Sequence, residues 1–334
     1  VFDGSLEQAL ALGVEGASFV TTYARPAAQR LAAQIASGSQ LNENAARLVS
    51  VREGIKIVLA GTIARSGSGY SVVVKTIDPV VGSTLSTATE SASGKADVLE
   101  AVGSLAADIR RELGDTNPEG ARLAAQETFT AGTLEAARDY SLAQDLASSG
   151  RNEEAILHYE QALRHDPYLG RAYAGWAVSA LRMGKRDEAE ILYKKALALI
   201  DRMTEREKYR TLGGYYGTIA RNYDKAIENY EELVERYPAD GAGLNSLGVA
   251  YFSSLDIQKA IEQGRRAVEV YPKNALYRTN LALYAMYAGD FAMAAAEANK
   301  AIEISPTAHK AYLPLAMAAL AASKPDDARQ AYER

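Results

Sequence analysis

The chain has 334 residues, of which 48% are hydrophobic and 24% charged, with a formal net charge of -5. This is an ordinary globular composition, long enough for two domains or one long array. Residues 1–120 carry about -3 and the remainder about -2, so neither part is basic, which argues against nucleic acid or an anionic membrane as the main partner.

There are no cysteines, which removes disulfides, thiolate catalysis and Cys-type zinc sites. No run approaches the roughly 18 consecutive apolar residues of a membrane helix. The chain opens on Val1 and closes on Arg334 inside a repeating pattern. It reads as a piece of a longer polypeptide, with any targeting or membrane segment outside it.

In chain order, "SLEQALALG" reads as a short helix, with Ser5 and Gln8 at capping-box spacing. "ASFVTTY" reads as a strand, "PAAQRLAAQIA" as a helix opened by Pro26, and "ENAARLVSVREG" as another helix. Three strands follow in "IKIVLAGTIARSGSGYSVVVKTIDPVVGSTLSTATESA". They are joined by "RSGSG" and "DPVVGS", Gly-bearing hairpin connections of 4–6 residues. "KADVLEAVGSLAADIRRELG" closes with an amphipathic helix. Residues 1–116 are therefore expected to form an α+β domain, helices on one face of a small, mostly antiparallel sheet. Asn117 is a candidate cap and Pro118 suits a first helical position. Residues 117–135 read as a linker or capping helix.

From residue 136 the pattern repeats. Ala155 recurs as Ala189, Ala226, Ala260, Ala294 and Ala328, at steps of 34, 37, 34, 34 and 34 residues. Tyr159 continues as Tyr193, Tyr230, Gly264, Ala298 and Tyr332, and Pro167 as Asp201, Pro238, Pro272 and Pro306. Each period holds two helical patterns around a turn, often with Gly ending the first, as at Gly184. One pair cannot bury its own apolar face, so the copies must stack into a solenoid. Second helices are expected to begin near 152, 186, 223, 257, 291 and 325, with no strand in 136–334. Ala260 and Ala294 are expected to be buried where paired helices cross. The three extra residues of the 37-residue step are placed near "DRMTEREKYR", where Thr204 and Glu207 have capping-box spacing. Gly213, Gly214 and Gly217 in the third copy signal close helix packing, with a hinge as the alternative.

These columns resemble the tetratricopeptide repeat. A bulky residue then a small one stands early in the first helix (Trp176–Ala177, Leu247–Gly248, Leu281–Ala282, Leu315–Ala316). Gly precedes the second helix at Gly150, Gly184 and Gly289. The likeness covers residues 136–334 as five full repeats and one truncated repeat, an all-α solenoid. The N-terminal part, through "FDGSLEQAL", "AARLVSVREGIKIVLAGTIARSGSGYSVVVKTIDPVVGSTL" and "LAADIRRELG", resembles the TolB N-terminal-like domain. In that family another strand usually precedes the "FDG" segment. The order of the two parts looks like the region behind bacterial membrane-anchored Ser/Thr protein kinases and adenylate cyclases. No kinase motif occurs in the chain.

No chemistry stands out. "RSGSGY" lacks the Gly-Lys-Ser/Thr ending of a phosphate loop and joins two strands. His158 and His165 are seven apart, too far for an i, i+4 metal pair. Glu153–Glu154 and Asp326–Asp327 head second helices, where carboxylates suit the positive end of the helix dipole. No cofactor, metal or enzymatic activity is expected; a hydrolase site between the two parts is the reading from another class.

The tetratricopeptide likeness implies that first helices line a concave groove. By register that face carries Tyr140, Gln144, Arg171, Val178, Leu181, Tyr215, Asn245, Val249, Phe252, Thr279, Leu283 and Met286. Packing between helices is the competing account of part of this set. The basic clamp by which some family members hold a peptide's terminal carboxylates is absent at the matching positions. The likeness thus implies a non-enzymatic interaction module that grips a protein or peptide by apolar anchors. Its expected setting is the extracytoplasmic part of a membrane signalling protein. The alternative is the cytoplasmic regulatory region of a cyclase or transcription regulator.

Overall fold

A computed structural model describes residues 4–23, 25–35, 41–115 and 132–334. The chain divides into two compact units, residues 1–211 and 212–334.

In the first unit, α1 (Ser5–Val14), α2 (Arg25–Ile35) and α3 (Glu43–Glu53) precede β1 (Val58–Ser66), β2 (Gly69–Ile77) and β3 (Thr84–Ala92). The strands form one antiparallel sheet in the order β1-β2-β3, with an irregularity at Thr76/Ile77. Helix α4 (Val98–Glu112) packs on β2 and β3. The expected α+β arrangement is thus present, with three differences. Helix α1 starts at Ser5 with Gly4 as its N-cap, so Ser5 is not the cap. Residues 17–23 form no strand: the Ala17 and Val20 amides bond back into local turns, and the Thr22 amide goes to the Glu15 carboxylate at 3.0 Å. The β1–β2 link is only Gly67 and Ser68. The second link holds six residues, and its Asp78 Oδ1 accepts the Val80 and Val81 amides at 2.8 and 3.0 Å. Most of the proposed linker helix, residues 117–131, lies outside the described residues.

The repeat begins with α5 (Leu134–Ser148) and α6 (Asn152–His165), then α7 (Gly170–Arg182) and α8 (Arg186–Leu197). The third copy opens with α9 (Glu205–Gly214) and a π-helical run, Tyr215–Ala220, before α10 (Tyr223–Arg236). Copies four to six are α11 (Gly241–Ser253) with α12 (Ile257–Val270), α13 (Ala275–Tyr287) with α14 (Phe291–Ile304), and α15 (Tyr312–Ala321) with α16 (Pro325–Tyr332). Every second helix starts at its expected residue. No strand occurs among the described residues of 136–334. Each helix from α10 to α14 is N-capped by an Asn or Asp side chain, at Asn222, Asp240, Asp256, Asn274 and Asp290. Such caps contribute about 1 kcal/mol apiece.

The recurring alanines are enclosed between packed helices, and a Cβ on Gly248 of α11 would lie 3.4 Å from the Ala260 carbonyl of α12. Ala155, Ala189, Ala226, Ala260 and Ala294 have no exposed surface. Between copies, bulk on one side meets its absence on the other. A Cβ on Gly175 would lie 2.6 Å from the Tyr159 ring. Where the tyrosine column is replaced by Gly264, Tyr284 from the next first helix packs against that glycine.

The third copy is longer both in the link before α9, seven residues (198–204) against four before α7, α11 and α13, and in its first helix. That helix has ten α-helical residues and then six π-helical ones, against thirteen in α7, α11 and α13. The i→i+5 bonding of a π-turn absorbs surplus residues inside a continuing helix. A Cβ on Gly213 would come 2.6 Å from the Tyr230 ring, so close packing accounts for that glycine.

In the first unit one continuous apolar core runs from Ala9 and Val14 through Val72, Val74 and Leu105 to Leu134, Tyr159 and Leu169, beside a smaller cluster of Ala32, Ala45 and Val49. The α+β layer and the first copies are therefore packed as one body, tied also by Ser141 Oγ donating to the Gly4 carbonyl at 3.1 Å.

Two stability outcomes follow from this packing. Ala260→Leu overpacks the α11–α12 crossing and is expected to cost about 1–3 kcal/mol in chemical denaturation. Leu255 holds a left-handed φ of 68°, where the earlier copies place Gly150 and Gly184, and is 83% exposed. Leu255→Gly relieves that conformation with little burial lost and should raise stability by about 1 kcal/mol in the same assay.

Candidate partner-binding surface

The two units use the face of their first helices differently. In the first unit it is taken up internally. Arg171 on α7 is buried, forms an ion pair with the buried Glu207 of α9, and lies 4.7 Å over the Tyr140 ring. Burial pushes the Tyr140 phenol above its ordinary pKa, against the pull of the Arg171 charge. Glu207 is held by the capping box read from the sequence: its amide donates to Thr204 Oγ1 at 3.2 Å and its carboxylate accepts the Thr204 amide at 3.3 Å. Beside it, Arg206 reaches Glu15 of the N-terminal layer at 2.9 Å. Gln144 donates to the Tyr159 hydroxyl at 2.8 Å. Of the register-assigned residues here, Tyr140 and Arg171 are interior groups and Gln144 serves a packing tyrosine, while Val178 is exposed. The physical reason is that a buried guanidinium needs a carboxylate, and α9 and the α1 end supply them.

In the second unit Tyr215 sits in the π-helical run, edge-on to Tyr216 at 5.4 Å. Thr279 is buried and donates to the Ala275 carbonyl at 2.7 Å, so it is a helix-interior group. Asn245 accepts from Asn280 at 2.8 Å, linking α11 to α13. Phe252 makes the same link through Tyr284 and Tyr287, at ring separations of 5.1 and 5.0 Å. Leu283 and Met286 are half-buried.

What remains open is a ladder. Val249, Leu283 and Met317 hold one register position, 34 residues apart, on α11, α13 and α15. Val249 is 42% and Met317 38% exposed. Phe252, Met286 and Leu320 form a second row, with Leu320 exposed. Tyr287, 63% exposed, stands beside Phe252. Met317, Leu320 and Tyr287 were not read from the sequence as site residues; one more 34-residue step from Leu283 and Met286 reaches the first two. The face is also uncharged. Helices α11 and α15 contain no charged residue. The single charge on α13, Arg278, is paired with Glu297 and donates to the Pro272 carbonyl at 2.6 Å.

His158 and His165 both turn to the buried Asp139 at 3.5 and 3.6 Å. Among the described residues no group is placed to hold a metal ion. No described helix is long and apolar enough to cross a membrane.

Compared with known families, the chain matches the tetratricopeptide repeat over residues 140–202, 220–275 and 279–334, just over half its length. It belongs to the tetratricopeptide-repeat family, whose fold serves as a scaffold for protein–protein interaction. No curated protein matches the chain. Among solved structures, it is similar to a chain of the APC/C hetero-tetramer Cut9–Hcn1, with 20% identity and a TM-score of 0.50, over 69% of this chain and 48% of that one. This chain thus spans about half the length of that relative. It is also similar to the type IV pilus biogenesis factor PilW, with 16% identity and a TM-score of 0.48, covering 59% and 90% of the two chains. A thermophilic tetratricopeptide protein of Thermus thermophilus, TTC0263, shares 21% identity at a TM-score of 0.47, covering 55% and 99%. At 20% identity, the likeness to the Cut9–Hcn1 chain shows a shared fold.

Breaking the buried pair tests how the first unit uses its face. Glu207→Gln can keep the capping hydrogen bond but removes the charge opposite Arg171. It should cost about 3–5 kcal/mol in denaturant unfolding. Glu232→Gln, at an exposed pair with Arg236 3.1 Å away, should cost at most about 1 kcal/mol.

Proposed function

We propose that this chain is a non-enzymatic interaction scaffold that binds a peptide or protein across the first helices of copies four to six. The observation that carries this is the apolar ladder Val249, Leu283 and Met317, repeated at one position of three successive helices, with Val249 and Met317 exposed and Leu283 half-buried. Exposed apolar side chains placed singly are ordinary; a contiguous row on an uncharged face marks an interaction surface. Of the residues first assigned to the groove, Leu283 belongs to this row, Asn245, Phe252 and Met286 border it, Tyr215 lies in the preceding π-helical run, and Val178 is exposed in the first unit.

The setting we propose is a bacterial signalling protein, in which this region lies outside the cytoplasm and a TolB N-terminal-like domain precedes the repeats. The helix–helix–helix, three-strand, helix order of the N-terminal layer supports that reading. A cytoplasmic regulatory region of a cyclase or transcription regulator is the alternative, and the sequence upstream of Val1 distinguishes the two.

The test uses peptides selected by phage display against the full chain, with affinities measured by calorimetry. Each apolar anchor contributes roughly 1.5–3 kcal/mol when fully buried, about one to two decades of affinity. Val249→Asp and Leu283→Asp should each lose at least about tenfold. Leu157→Asp, at an exposed leucine of α6, should bind like the parent. Equal binding by all three variants, with unchanged circular dichroism, would sink this surface as the site.

A further inference from the structure

We infer that the ladder of copies four to six docks an uncharged polyproline-II segment with an apolar side chain at every third residue. This rests on the reading of the surface given above and names the class of ligand.

The spacing of the rungs decides the conformation. Val249, Leu283 and Met317 stand on successive first helices, and α11 contacts α13, as α13 does α15. Helices in contact lie about 8–10 Å apart. A ligand crossing them must therefore repeat its contacting side chain about every 8–10 Å. A polyproline-II helix has three residues per turn and rises about 3.1 Å per residue, so one edge repeats every ~9.3 Å. A β-strand returns to the same face every ~6.6 Å, and an α-helix every ~5.4 Å. Only the first period matches the rungs in single steps.

Two further observations point the same way. Phe252, Tyr284 and Tyr287 make an aromatic cluster beside the ladder, with ring centroids 5.1 and 5.0 Å apart and Tyr287 largely exposed. Proline-rich segments dock on aromatic-lined grooves, because their backbone is already ordered and loses little entropy. The charge balance also selects. With no charge on α11 or α15, and Arg278 of α13 already paired, an ionic side chain on the ligand would be desolvated without compensation. Between α11 and α13, the Asn245–Asn280 amide pair spends one donor on itself. Each primary amide has two N–H groups, so donors remain for the solvated carbonyls of a polyproline-II backbone.

The experiment titrates the full chain with three capped, uncharged peptides of about twelve residues. The first repeats Leu-Pro-Pro. The second has the same composition with its leucines clustered at one end. The third is an Ala/Gln helix with leucines at i and i+4. The Leu-Pro-Pro peptide should bind at least tenfold more tightly than either other. Leu283→Asp and Tyr287→Ala should each weaken it by about tenfold or more. Equal binding of the clustered peptide overturns the spacing argument. Preference for the helical peptide, lost in Leu283→Asp, overturns the polyproline-II assignment while leaving the surface itself in place. Binding of none of the three also overturns it, and the display-selected peptides then judge the surface independently.

Discussion

Paired helices can come close only where neither side presents bulk, and in this chain that condition is met by one alanine per period. Ala155, Ala189, Ala226, Ala260 and Ala294 are fully enclosed, and Ala328 nearly so. A larger side chain there would push the pair apart, and every copy stacked beyond it would lose register, since each copy contacts mainly its neighbours. Around this fixed point the remaining columns are free to exchange bulk. Tyr159 fills the space over Gly175, while at Gly264 the tyrosine comes from the other partner as Tyr284. The volume is conserved although the residue types are not, as close-packed interiors require.

The face that this packing leaves over is spent in two ways. Where the N-terminal layer shares a core with the first copies, polar groups on the first helices are drawn inward and must be matched. Arg171 takes Glu207, and Arg206 takes Glu15. Burying these charges is justified only by their pairing, and such pairs fix one arrangement of the elements around them. In the second unit one first-helix charge, Arg278, is matched in the same way by Glu297. This unit's first helices are otherwise almost free of charge, and the apolar positions left over stay in contact with solvent. A surface of this kind gains from a partner that brings apolar groups at the same spacing.

The third copy carries the irregularity of the array. Its first helix passes into a π-helical run and ends with Arg221 at a left-handed φ of 52°, yet α10 still begins on schedule for the copies that follow. The insertion is absorbed locally because hydrogen bonding can shift register within a helix without breaking it. Gly213 sits where the Tyr230 ring leaves no room for a Cβ. Gly213 thus belongs first to packing.

The sequence alone determined the period, the helix starts and the buried alanines, because each depends on contacts within a copy or between adjacent copies, which recur at a fixed separation along the chain. The three-stranded hairpin sheet was legible for the same reason: its pairings are local, and its turns are marked by Gly and Asp. The segment 17–23 was misread as a strand because β-branched and aromatic residues fit an extended chain equally well when no partner edge is offered. The candidate surface was legible only by half. Register alone placed Tyr140, Arg171, Val249 and Leu283 on the same kind of face. Only the tertiary structure decided that the first two are interior and the last two belong to an open row. That distinction depends on Glu15 and Glu207 reaching the first helices from elsewhere in the chain. Long-range burial of a charge by a distant carboxylate leaves no periodic trace in the sequence.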